Sequence, residues 1–193
     1  MREQFKLYVI NLYKDVPTDV YEDLLSIFCI GAILLIAFRG IRKGWKYVVG
    51  LFLVEYVFLI FCATVIFRQH VETVGHNFNL FWSYEAIENG RKDLIAENIM
   101  NVVVFVPVGA LLGIVSTQRK KGDGGWKIGW ALALALGVGF CISVSIEALQ
   151  YFLKRGFSEF GDVFHNTVGC LIGFMIAAMI KGLWLLQKKY LMN

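Results

Sequence analysis

Five stretches of this chain are apolar for long enough to cross a bilayer as helices: Val20–Phe38, Tyr47–Phe67, Leu94–Val115, Ile128–Leu153 and Val163–Leu186. About 20 helical residues reach across the hydrocarbon core, so the pattern predicts an all-α, polytopic bundle of about five transmembrane helices. No repeat or low-complexity tract divides the chain, and residues 1–193 read as one membrane domain. The first stretch is the weakest. Glu22 and Asp23 leave only Leu24–Phe38 strictly apolar, which suits a short or tilted span or a re-entrant helix. Residues 1–19 read as an amphipathic N-terminal segment, because Phe5, Tyr8, Val9 and Leu12 share one helical face over Met1–Lys14. The basic Arg2 and Lys6 are followed by no apolar run before Lys14 and Asp15, which is not the pattern of a cleavable signal.

Composition sharpens this reading. The chain is 58% hydrophobic with 16 Phe and 5 Trp, and its mean hydropathy of +0.61 excludes an ordinary soluble domain. Its net charge of +4 matters less than where the charge falls. Eleven of the 19 Lys and Arg lie in segments 39–46, 116–127 and 181–189, which share one side if there are five spans. Basic loops stay in the cytoplasm, so the N-terminus is expected outside and the C-terminus inside the cell. The opposite side carries Glu3, Asp15, Asp19, Glu72, Glu85, Glu88, Asp93, Glu159 and Asp162. Short basic loops between spans are topology signals, and no nucleic-acid partner is expected. Cys29, Cys62, Cys141 and Cys170 all fall within spans without metal-ligand spacing. No metal or other cofactor is expected, since His165 stands apart from His70 and His76 and no His-Glu-x-x-His occurs.

The polar residues inside the spans converge. At 1.5 Å per residue, Asn98 and Asn101 lie roughly 6–10 Å below the outer end of the third stretch. Glu147 and Gln150 lie at a similar depth in the fourth, Asp162 and Asn166 near the outer end of the fifth, and Arg68 closes the outer end of the second. Each pair is spaced i, i+3 or i, i+4 and so shares a helix face. Buried carboxylates in lipid are costly, which makes Glu147 and Asp162 the candidate catalytic groups if there is chemistry. The candidate ligand-binding set is Arg68, Asn98, Asn101, Glu147, Gln150, Arg155, Asp162 and Asn166. Arg155, on the loop above Glu147, could pair with Glu147 or Asp162 or receive an anion. The plainer alternative is that the amides only hold helices together. Pro107 interrupts the third stretch, and Gly169 with Gly173 forms a small-x-x-x-small face for close packing or homo-oligomerisation. Glu55 lies near mid-membrane in the second stretch and is expected to be protonated or paired, with no partner assigned.

In order along the chain, these elements resemble the VanZ-like family of bacterial membrane proteins. Asn101 leads into Phe105-Val-Pro107-Val-Gly109; Ile146-Glu147-Ala-Leu-Gln150 follows; then come Arg155 and Asp162-Val-Phe-His-Asn166-Thr-Val-Gly169 with Gly173. Thr64-Val-Ile-Phe-Arg68 and Asn79-Leu-Phe-Trp-Ser-Tyr84 are also similar, so the resemblance covers about residues 55–180. Two positions depart from it: Gly161 stands where many members have the first Asp of a pair, with Glu159 two residues before it, and Asn79-Leu-Phe lacks a proline. The resemblance implies low-level resistance to teicoplanin-type lipoglycopeptides.

Three functions follow as alternatives. The leading one is a non-catalytic envelope protein whose outward polar site binds an anionic lipid headgroup, a lipid-linked envelope precursor or the lipoglycopeptide. The second is a membrane enzyme acting on a lipid-linked phosphate or glycan, with Glu147 as acid or base. The third is a small transporter or a partner-binding subunit. Against transport stands the absence of an inverted repeat.

Overall fold

The computed structural model describes residues 6, 7, 10, 13–73, 75–116 and 126–191. Its helices are α1 (Thr18–Arg39), α2 (Ile41–Phe61), α3 (Trp82–Glu88), α4 (Asp93–Ser116), α5 (Trp126–Phe152) and α6 (Phe160–Leu191). All but α3 are long and apolar enough to span a membrane. The spans thus fall where the hydropathy places them, and the first is a continuous helix of 22 residues despite Glu22 and Asp23. Most of the expected amphipathic segment Met1–Lys14 lies outside the described residues, as do Arg119, Lys120 and Lys121 of the basic loop.

The core is the α4–α6 pair, which packs backbone against backbone. A Cβ on Gly173 would sit 1.9 Å from the Val106 carbonyl oxygen of α4, and one on Gly169 2.1 Å from that of Val102. Gly109 of α4 reciprocates, meeting the Cys170 carbonyl of α6 at 1.9 Å. The close approach that these glycines permit is therefore made within the chain. Around this pair, Phe105, Val108, Met100, Ile60, Ile146 and Cys170 form the main buried cluster, which joins α2, α4, α5 and α6. Tyr56 of α2 ties into it by donating to the Val104 carbonyl at 2.9 Å. By contrast α1 buries none of its residues; it packs mainly on α2, with Val20 and Tyr21 also against the small cluster of Val16, Cys62 and Ala63.

Two features turn the chain above the core. Helix α2 runs into a π-helical turn, Cys62–Ile66, closed by Phe67 N–H donating to the Cys62 carbonyl. The connectors that follow α2 and α5 are stitched together. His76 and Asn77 pair in parallel with Ser158 and Glu159, Val71 N–H donates to the Lys154 carbonyl, and the Phe157 ring fills the space over Gly75.

Candidate functional site

Four elements bring polar side chains around one small cavity of about 50 Å³. The π turn and its exit contribute Thr64 and Arg68; α4 contributes Glu97 and Asn101; α5 contributes Glu147 and Gln150; α6 contributes Asp162 and Asn166. Ile60, Val104, Phe105 and Ile146 form its apolar floor. The floor comes from the core cluster, so the rigid part of the bundle holds the polar groups at fixed depth.

The local folding explains each position. A π turn widens the helix by one residue and leaves carbonyls out of line with their usual donors. Gln150 supplies a donor, its Nε2 reaching the Thr64 carbonyl at 3.1 Å, while the Thr64 hydroxyl donates to the Ile60 carbonyl. Glu147 is buried, and one carboxyl oxygen accepts the Glu159 backbone N–H at 2.7 Å. The side chain of Glu159 turns elsewhere, accepting from the Trp82 indole at 2.9 Å. Burial pushes the Glu159 carboxyl up; the charge of Glu97 adds to this, and the Trp82 hydrogen bond, Arg68 and Arg91 oppose it. Asn166 is buried and donates to the Ser143 hydroxyl at 2.8 Å, so it also braces α6 against α5. The amide nitrogen of Asn101 is buried without a hydrogen-bond partner.

Arg68 closes the end of the cavity beside the stitched connectors. Its guanidinium lies over the turn after α5, where a Cβ on Gly156 would be 3.0 Å from Cζ. Its backbone carbonyl accepts a hydrogen bond from the Arg155 guanidinium. Glycine at 156 thus gives Arg68 its seat, and Arg155 fixes the bend that carries it.

Six of the eight expected ligand-binding residues line this cavity: Arg68, Asn101, Glu147, Gln150, Asp162 and Asn166. Two do not. Arg155 is bonded to the Arg68 carbonyl instead of facing Glu147 or Asp162, and Asn98 donates to the Ser83 hydroxyl at 3.1 Å. Asn98 lines a separate lateral groove of about 430 Å³ with Tyr84, Ile87, Ile95, Ile99 and His165. There His165 is bonded to the Tyr84 hydroxyl at 2.8 Å. Thr64 and Glu97 are site residues that the sequence reading missed. Glu97 stands i, i+4 from Asn101, the spacing used to group the other pairs, and it carried that signal.

Glu159, a further acid beside Glu147, bears on the departure at Gly161. A Cβ there would meet the Leu80 carbonyl at 3.4 Å and the Trp82 indole nitrogen at 3.8 Å, ordinary contacts that leave room for a side chain. Glu159 already occupies that indole. Among the described residues no three His, Cys, Asp or Glu side chains are grouped to hold a metal ion.

A family model described as VanZ/LLP1 matches residues 28–181. No curated protein and no solved structure matches the chain.

Proposed function

The chain belongs to the VanZ/LLP1 family, and from that premise we propose that it is a cell-envelope membrane protein whose outward polar site binds the anionic headgroup of a lipid-linked or lipid-tailed molecule. The observation that carries this reading is a pair of donors on one cavity. Arg68 is exposed at its mouth, and the Asn101 amide nitrogen within it has no partner. A buried donor without an acceptor loses about 1–3 kcal/mol, and an incoming oxygen restores it. The cavity is too small for a whole headgroup, so a phosphate or carboxylate sits at the mouth against Arg68 and sends one oxygen inward. A planar guanidinium suits such groups. Glu147, Asp162 and Gln150 then accept from or orient the hydroxyls around the anion. The basic segments at the opposite ends of the helices support an outward placement of this face.

The phenotype that follows is reduced susceptibility to teicoplanin-type lipoglycopeptides, whose acyl tail brings them to the membrane. In a sensitive Gram-positive host, the wild-type chain is expected to protect against teicoplanin and not vancomycin. Arg68→Ala at matched membrane levels is expected to remove the protection. Equal protection by both variants would refute the role given to Arg68.

One observation favours the enzyme alternative enough to test it beside the first. Only one oxygen of Glu147 is held by the Glu159 amide, on a cavity it shares with Asp162 and Glu97. A Glu147→Gln variant that binds ligand but loses function would favour proton transfer by Glu147.

A further inference from the structure

Glu55 takes no part in the site above. It lies on α2, eleven residues from each end of the span Gly44–Ile66, hence roughly 16 Å from either membrane surface. It lines a lateral groove of about 190 Å³ between α1 and α2, otherwise walled by Tyr21, Leu24, Leu25, Phe28, Phe52, Tyr56 and Leu59. Its Oε1 is buried and has no hydrogen-bond partner. The two hydroxyls near it are engaged elsewhere, Tyr21 with the Tyr13 carbonyl and Tyr56 with the Val104 carbonyl. A carboxyl at this depth is costly in lipid unless it is paired, and among the described residues nothing pairs its Oε1.

From this geometry we infer that the α1–α2 hairpin is a docking face for a transmembrane helix of another protein, one that carries a Lys or Arg at mid-membrane depth to meet Glu55. Depth excludes a lipid headgroup, which stays at the surface some 16 Å away. Charge selects a base, since a neutral partner would be served by Asn or Gln at lower cost than Glu. A second copy of this chain does not supply it, because no Lys, Arg or His lies at the middle of any of the five spans. The hairpin is also free to receive a helix. Helix α1 buries nothing, and Leu25, Ile33, Phe52 and Val54 are all exposed on the pair.

The test uses the full chain in liposomes with synthetic polyleucine transmembrane helices as probes, with binding read by energy transfer. One probe carries a single central lysine, one carries it two turns off centre, and one has none. The wild type is expected to bind the central-lysine helix about tenfold tighter than the others, the scale of one well-made polar contact in lipid. Glu55→Leu is expected to abolish that preference, and Glu55→Gln to weaken it, with melting temperatures close to wild type. Equal binding of the three helices by the wild type, or a preference that survives Glu55→Leu, would overturn the inference. So would Glu55-dependent self-association without probe, which would make a second copy the occupant.

Discussion

At the residue scale, Glu147 does two things in one position: it lines the cavity and it accepts the Glu159 N–H that ends the loop above it. These roles separate by substitution. Glu147→Gln keeps an acceptor of the same length, so its melting temperature in detergent is expected within a few degrees of wild type. Glu147→Ala strands the Glu159 amide, which is expected to cost about 1–3 kcal/mol and lower the melting temperature clearly. Equal melting of the two variants would deny that hydrogen bond a structural role. Glu159 gives a pH signature. Its folded carboxyl holds its proton to higher pH than the unfolded one, so the folded state binds the extra proton between the two values. Stability from this group is fullest below the unfolded carboxylate value near 4.5 and falls as pH rises through the raised folded value. Glu159→Gln is expected to flatten that decline; a pH–stability profile unchanged in the variant would contradict it.

At the scale of elements, the glycine contacts between α4 and α6 are the least forgiving part of the molecule. Gly173→Val pushes side-chain atoms into the Val106 carbonyl, where even a Cβ has no room. Overpacking commonly costs 1–3 kcal/mol, and a rigid backbone oxygen leaves nothing to yield, so the loss is expected at about 3 kcal/mol or more. The variant should fail to purify as a monodisperse species or should melt far below wild type. Gly182→Val, where nothing lies within 4 Å, serves as the matched control. Normal melting of Gly173→Val would mean that α4 and α6 do not meet this closely.

How much of this was legible follows from which signals are local. The spans were readable because apolar runs and helix length are local properties, and Asn101, Glu147, Gln150, Asp162 and Asn166 were readable because depth and face follow from helical spacing. Asn98 was assigned to the site by depth and its i, i+3 spacing to Asn101, and Arg155 by its place on the loop above Glu147; the structure gives both to other partners. No spacing rule reaches those partners. The Arg68 carbonyl comes to Arg155 only through the stitched connectors, and Ser83 comes to Asn98 only through the short helix α3. The π turn that brings Thr64 to Gln150 was equally out of reach, since it is one residue of extra winding in an apolar run.

At the scale of the whole molecule, the bundle has a rigid half and a lightly attached half. Helices α4, α5 and α6 with the end of α2 fix the polar cavity, while the α1–α2 hairpin presents Glu55 to the bilayer on a separate face. The ligand recognition and the helix recognition proposed above therefore fall on different surfaces and can fail independently. The most direct measurement is a titration of a polyprenyl phosphate into the purified chain in nanodiscs, compared across wild type, Arg68→Ala and Glu55→Leu. Saturable binding by the wild type, weakened about tenfold or more in Arg68→Ala by loss of charge-assisted hydrogen bonds, and unchanged in Glu55→Leu, is the predicted result. Absence of saturable binding, or equal affinity in the wild type and Arg68→Ala, would contradict an anion site at the outer end of the bundle.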